Sequence, residues 1–357
     1  MDERNAVTGQ STAWNLVSKL GEGDAGEVYI VHSITDGRRA ILKRPRRSAF
    51  QADILRQSSQ IESEGRILAG LKGFKVKLNN GSLTIPRLLD QAKPEYEDSA
   101  DYFIVIEKAG GFDLDLLSRV PHLQPAELAA KLETCSPEDR YFLTHLHESK
   151  KQPDLIFLRC LDALVTLLEE IHHYPVEWEG VEKGGVLWND VKPDHIFWDP
   201  GSNTCTVIDW GNAQFLEMDG TTRDRLFTAT DDYLQMLDGM GKFLKRANPE
   251  LQKQLEWPEQ GLSPATAIPA AQTIRMNLEE RLRAAEEPLL QLREKERGLL
   301  AGDPPRIGQI RDLQKIHTRL LHQGVYPDYK AAMVLLGRLG QSLDRKSTRL
   351  NSSHIPL

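Results

Sequence analysis

Cysteine is scarce in this sequence. Only Cys135, Cys160 and Cys205 occur among 357 residues, an odd number at wide spacing, which excludes a disulfide framework and a zinc site of clustered thiolates. The expectation is a reducing, cytoplasmic setting. Long apolar runs are also missing. None approaches the roughly 20 residues that cross a bilayer, and the opening MDERNAVTGQST is polar and lacks an apolar signal core. No membrane partner is expected. Basic residues are in the minority, 45 Lys and Arg against 52 Asp and Glu, for a formal net charge of -7. A phosphate backbone asks for a basic face, so nucleic acid is excluded as a main partner.

What remains is an ordinary globular composition, with 40% hydrophobic and 27% charged residues, long enough for one large or two medium domains with a sizeable core. No internal repeat or long low-complexity segment interrupts it. The last stretch is unusual: DRKSTRLNSSH, Asp344 to His354, matches the in-frame translation of a common sequencing adapter. Residues 344–357 are therefore expected to be an adapter-derived artefact and are excluded from fold reasoning.

Along the chain, residues 1–13 read as a disordered terminus. From Trp14 to Lys43 short β-type runs, NLVSKL, EVYIVHSI and RRAILK, flank the turns GEGDAG and TDG, which predicts three antiparallel strands. A helix is predicted over Gln57 to Leu71, and further strands at IPRLLD and YFIVIEKA. After Gly110 and Gly111 helices dominate, notably Leu155 to Tyr174. A strand-rich island, HIFWD and CTVID around a Pro-Gly-Ser-Asn turn, precedes a helix beginning near Asp231, and Ser263 to Leu343 reads as a long amphipathic helical hairpin with a charged, solvated face. The expected organisation is a β-rich lobe over 14–109, a helical lobe over 110–257 and a helical extension over 258–343.

The glycine-rich loop Gly21-x-Gly23-x-x-Gly26-x-Val28 lies between two predicted strands. That position excludes a dinucleotide-binding fingerprint, which needs a strand-to-helix turn, and the Lys-Ser/Thr ending of a P-loop is absent. Taken alone the loop reads equally as a tight hairpin. Its context changes the balance. Lys43 ends the next-but-one strand, and Glu64 lies on the one nearby helix, where a carboxylate can pair with that lysine. Asp190, in WNDVKPDHIFWD, and Asp209, in VIDWG, each adjoin a strand-like run, so their carboxylates are expected on neighbouring loops. Singly, each reads also as a surface charge or a turn former.

Together these residues resemble the protein kinase superfamily, in the manner of a bacterial eukaryotic-like Ser/Thr kinase with a divergent catalytic loop. The resemblance covers about residues 14–245 and implies an α+β, bilobal fold, with an antiparallel β-rich N-lobe, a helical C-lobe and a helical C-terminal extension. It also implies roles. Gly21, Gly23 and Gly26 let backbone amides close over phosphates, while Val28 and Ile106 enclose the adenine, whose edge faces the backbone of Glu107 to Ala109. Lys43, braced by Glu64, neutralises the α- and β-phosphates. Asp209 holds Mg²⁺, Asp190 orients the attacking hydroxyl and accepts its proton, and Lys192 lies near the transferred group.

Three departures shape the functional reading. His195 stands where the family has an Asn metal ligand, and imidazole favours Mn²⁺ over Mg²⁺. Trp188 and Asn189 replace the usual His and Arg, which removes the Arg partner of a phosphorylated activation loop. The segment from Gly211 to Asp232 is short, lacks an Ala-Pro-Glu signature, and leans toward enzymes that phosphorylate small molecules. Lys192-Pro193, by contrast, looks like the protein Ser/Thr kinase loop. The implied activity is ATP-dependent transfer to protein Ser or Thr hydroxyls; the alternatives are an aminoglycoside- or choline-kinase-like phosphotransferase and a nucleotide-binding pseudokinase scaffold. His172 and His173 read as solvated helix-end residues, Arg44, Arg46 and Arg47 as a surface basic spot, and Trp14, Trp178 and Trp198 as packing aromatics.

Overall fold

The computed structural model describes residues 6–300 apart from 48, 49, 80, 97, 98 and 260. The expected helical return over 301–343 and the tail over 344–357 lie outside the described residues. The N-terminal region runs β1 (Ala6–Thr8), β2 (Ala13–Gly23), β3 (Gly26–Ser33), β4 (Arg39–Arg44), α1 (Gln51–Leu71), β5 (Lys75–Leu78), β6 (Gly81–Thr84), β7 (Leu88–Gln91) and β8 (Ile104–Glu107). Then follow β9 (Phe112–Asp113), α2 (Leu114–Arg119), α3 (Pro125–Glu133), α4 (Pro137–Ser149) and α5 (Asp154–Ile171). The chain continues through β10 (Val176–Trp178), β11 (Val181–Lys183), β12 (Gly185–Leu187), β13 (Ile196–Asp199), β14 (Thr204–Val207) and β15 (Gln214–Leu216). It closes with α6 (Ala229–Ala247), α7 (Pro249–Gln254) and α8 (Pro264–Leu300).

The first sheet is antiparallel, in the order β1-β2-β3-β4-β8-β7. Its central strands carry apolar residues on the face against α1, and Val31, Ala40, Leu42 and Val105 have no exposed surface. Helix α1 returns Ile61, Ile67, Leu68 and Leu71 to that face, the spacing of one helical stripe. Residues 6–12 depart from the expected disorder. Strand β1 pairs with β2, and Asp90 accepts from Ser11 N at 3.0 Å, Thr12 N at 3.1 Å and Trp14 Nε1 at 2.8 Å. A buried carboxylate that takes three donors from residues 11–14 ties this segment down, a link that no local pattern could show.

A second sheet has the order β5-β6-β14-β13-β9. The β5–β6 hairpin, which the sequence reading passed over although Asn80-Gly81 is a hairpin turn signal, joins β14 in parallel through Ser82 to Thr204 and Thr84 to Thr206. Residues of the first half of the chain thus complete a sheet of the second half. Beneath it lies α5, apolar on nearly every side from Leu155 to Ile171, as befits a helix sheathed by other elements. Fully burying each large aliphatic chain there contributes about 1.5–3 kcal/mol. Helix α8 lays Ala267, Ala271, Ile274 and Leu278 into the same core.

Candidate active site

The β2–β3 turn and the loops after β12 and β14 open onto one cleft of about 620 Å³ between the two halves of the chain. Gly23, Gly26, Val28, Lys43, Ile106, Glu107, Ala109, Asp190, Lys192, His195 and Asp209 all line it. Gly21 pairs with Val28 in the β2–β3 ladder and Glu64 stands behind Lys43, only 1% exposed. Residues far apart in sequence therefore converge as the sequence reading required.

Each position has a local cause. Gly26 has φ +123, and a Cβ there would come within 2.2 Å of the Arg44 carbonyl oxygen, so the turn itself demands glycine. Gly21 and Gly23 are different, because a Cβ built on either meets nothing within 4 Å. At the other end of the cleft Gly111 has φ +71, and its Cβ would lie 1.9 Å from the Trp198 carbonyl oxygen. The chain can cross between the two halves there only without a side chain. The Glu107 carboxylate turns away to Arg87, at 2.9 and 3.2 Å, which leaves the cleft the backbone of this segment.

Lys43 Nζ donates to both carboxylate oxygens of Glu64 at 2.8 Å and to Asp209 Oδ1 at 3.1 Å. Burial works against the ammonium, yet Glu64 and Asp209 hold its pKa above the ordinary lysine value. Burial drives the Glu64 carboxyl upward, opposed by Lys43. Burial also acts to raise Asp209, but Lys43 and His195 prevail and hold it below the usual carboxylate range. Asp209 takes a left-handed backbone with φ +62, an uncommon conformation that re-aims its side chain into the cleft.

Asp190 Oδ1 pairs with Lys192 Nζ at 2.6 Å. The loop that carries both is held from behind by α6. Buried Asp232 accepts from Trp188 N at 2.9 Å and Asn189 N at 2.6 Å, and Gln235 bonds both Val191 N and Asn189 Oδ1. His172 adds its Nε2 to Asp232 Oδ2 at 2.8 Å and is 4% exposed. The solvated reading of His172 is thus corrected: its partner lies on another element. Trp188 is fully buried, 5.8 Å from Trp210 between ring centroids, and donates Nε1 to the Asp209 carbonyl. The basic spot is also spent internally, with Arg44 on Glu27 and Tyr29, Arg47 on Asp101 and Arg46 on the Gly23 carbonyl.

The donor set suits a divalent cation. Ligand atoms of Asp190, His195 and Asp209 all lie within 4.8 Å of one another. His195 Nδ1 faces the Asp190 carbonyl oxygen at 3.1 Å, an acceptor only, so Nδ1 carries the hydrogen. Its Nε2 lies 3.4 Å from Asp209 Oδ2, so an imidazole nitrogen and a carboxylate oxygen face each other, a donor pair that a divalent cation can bridge.

A family model described as the phosphotransferase enzyme family (APH) matches residues 18–215, more than half of the chain and the whole cleft. The chain belongs to this family. Its fold is α+β, β-rich at the N-terminal end and helical toward the C-terminus. No curated protein matches the sequence. Two crystal structures of the Mycobacterium tuberculosis PknI kinase domain, a single and a double mutant, are similar to it at 15% identity with a TM-score of 0.44. They cover 77 and 78% of this chain and 98 and 99% of their own.

Sequence reasoning missed Arg56 and Gln60, which also line the cleft. The signal was available, since both precede Glu64 on α1 at helical spacings of four.

Proposed function

We propose that this phosphotransferase uses ATP with a divalent cation to phosphorylate the hydroxyl of a small molecule. The carrying observation is the convergence of Lys43, braced by Glu64, with Asp209 and Asp190 around one cleft. In this reading Ile106 and Val28 enclose the adenine, the backbone from Glu107 to Ala109 meets its edge, and Lys43 neutralises the inner phosphates. Asp190 orients the acceptor hydroxyl and takes its proton, and Lys192 holds Asp190 and faces the transferred group. Asp209 and His195 hold the cation, Mg²⁺ or Mn²⁺. When bound, the ion offsets charge on the phosphate oxygens. It also answers the local balance, in which Glu64, Asp190 and Asp209 outnumber Lys43 and Lys192. Positioning and charge neutralisation then supply the rate.

The acceptor reading moves from a protein side chain, which Lys192-Pro193 had favoured, to a small molecule. Family membership supports this, and so does the segment after Gly211. There β15 pairs with β12, and the bridges Leu216 to Thr222 and Thr221 to Thr228 fold the chain back on itself. Such a compact segment offers little edge to an extended peptide. Three unpaired cysteines accord with a cytoplasmic setting.

Radiolabelled ATP supplied with a metabolite extract and, separately, a protein extract tests the reading. Label is expected in a small molecule, and Asp190→Ala and Asp209→Ala should abolish it. Label in protein would restore the protein-kinase reading. Nucleotide binding without turnover in either Mg²⁺ or Mn²⁺ would leave a nucleotide-binding scaffold.

A further inference from the structure

Helix α1 presents more than Glu64 to the cleft. Arg56, Gln60 and Glu64 are spaced by four and share one face, which places Arg56 about 12 Å from Glu64 along the axis. Both Arg56 and Gln60 line the cleft. The Arg56 guanidinium donates Nη2 to the Asp24 carbonyl at 3.2 Å and Nη1 to Gln60 Oε1 at 3.4 Å. Both acceptors are neutral and both bonds are long. Among the described residues no carboxylate pairs with Arg56, whereas Lys43 has Glu64 and Asp209 and Lys192 has Asp190.

The strand register shows where this charge stands. On β4, Ala40 pairs with Glu107 at the crossing between the two halves, Lys43 lies three residues further along, and Arg44 pairs with Glu27 next to the glycine-rich turn. The turn that Arg56 grips is therefore at the end of the sheet remote from Glu107, roughly 13 Å away at four strand residues. A nucleotide whose base sits at Glu107 to Ala109 and whose inner phosphates meet Lys43 extends its last phosphate toward that turn. We propose that Arg56 clamps the terminal phosphate of the bound triphosphate, exchanging the Asp24 and Gln60 oxygens for phosphate oxygens. A guanidinium gains from that exchange, because its planar fork matches phosphate and charge-assisted bonds are roughly twice as strong as neutral ones. The inference rests on the nucleotide reading of the cleft and adds to it a residue for the transferred group.

Calorimetric titration of the full chain with Mg-ADP and with a non-hydrolysable Mg-ATP analogue separates the possibilities. Arg56→Ala is expected to weaken the triphosphate analogue about tenfold while leaving ADP within about twofold, and Arg56→Lys to recover part of the loss. Arg46 provides the control. Its Nη2 holds the neighbouring Gly23 carbonyl at 2.5 Å but it does not line the cleft, so Arg46→Ala should shift both nucleotides alike or neither. Equal weakening of ADP and the analogue by Arg56→Ala would reduce Arg56 to a tether of the turn and overturn the proposal, as would no change in either. Failure of the wild-type chain to bind either nucleotide would instead remove the nucleotide reading, and this inference with it. Arg56 is solvent-exposed, so an unchanged unfolding midpoint is expected to show that the variants fold.

Discussion

Asp232 has no exposed surface, and its carboxylate is the common acceptor for Trp188 N, Asn189 N and His172 Nε2. Asp232→Ala would leave the buried donors of Trp188 and His172, and the half-buried Asn189 N, without that acceptor; at about 1–3 kcal/mol for each buried donor, a loss of roughly 2–6 kcal/mol is expected. Denaturant midpoints measure it. The loop carrying Asp190 would lose its support at the same time, so the folded fraction should transfer phosphate more slowly than wild type. His195 makes a different kind of prediction. Its ring nitrogen stands beside Asp209, and imidazole suits Mn²⁺ better than Mg²⁺. His195→Asn is expected to lower the ratio of initial rates in Mn²⁺ to those in Mg²⁺ about tenfold. An unchanged ratio would show that His195 does not touch the ion.

The glycine-rich turn between β2 and β3 raises the question of whether its glycines serve the hairpin or a ligand, and the answer differs by residue. Gly26 is fixed by its own backbone and by the Arg44 carbonyl, so Gly26→Ala should cost about 2 kcal/mol and destabilise the hairpin. Gly21 and Gly23 face open space, so neither substitution should move the unfolding midpoint by more than about 0.5 kcal/mol. Gly23→Ala, on the cleft wall, is nevertheless expected to weaken nucleotide binding severalfold when titrated beside Gly21→Ala. If both leave binding intact, the turn serves only the hairpin. The two strands flanking this turn, and β4 after the next one, were legible because alternation and turn residues are local signals. Lys43, Glu64, Asp190 and Asp209 were legible because a resemblance supplied their partners. The β5–β6 hairpin could have been read from Asn80-Gly81 between KVKL and GSLT, but its place in the sheet could not, since it is set through β14, more than a hundred residues on. Asp232 was legible as the start of the buried helix behind the catalytic loop, whereas His172 was not, because its hydrogen bond to Asp232 joins two elements sixty residues apart and leaves no periodicity. Arg56 could have been read, had the α1 stripe been followed back from Glu64.

At the scale of the whole molecule, α8 is part of the core that supports the cleft, although the sequence read its charges as a solvated face. Two of those charges are not equivalent. Glu286 receives Arg159 Nε at 3.0 Å and Nη2 at 2.9 Å, with Arg159 only 7% exposed and stacked over Trp198. Glu279 meets Arg275 within the helix at 3.3 Å and is 58% exposed. Breaking a buried pair strands a charge that folding has already desolvated, whereas an exposed pair returns both groups to water. Glu286→Gln should therefore cost about 2–3 kcal/mol and Glu279→Gln less than about 0.5 kcal/mol. Because Arg159 lies on α5, which packs under β13 and β14 and not on the cleft, the Glu286 variant should lose activity only in proportion to the folded fraction. Rates per folded molecule, taken at a temperature where both variants are fully native, should match wild type. A drop in that intrinsic rate would mean that α8 sets the geometry of the loops after β12 and β14 as well as the stability of the sheet that carries them.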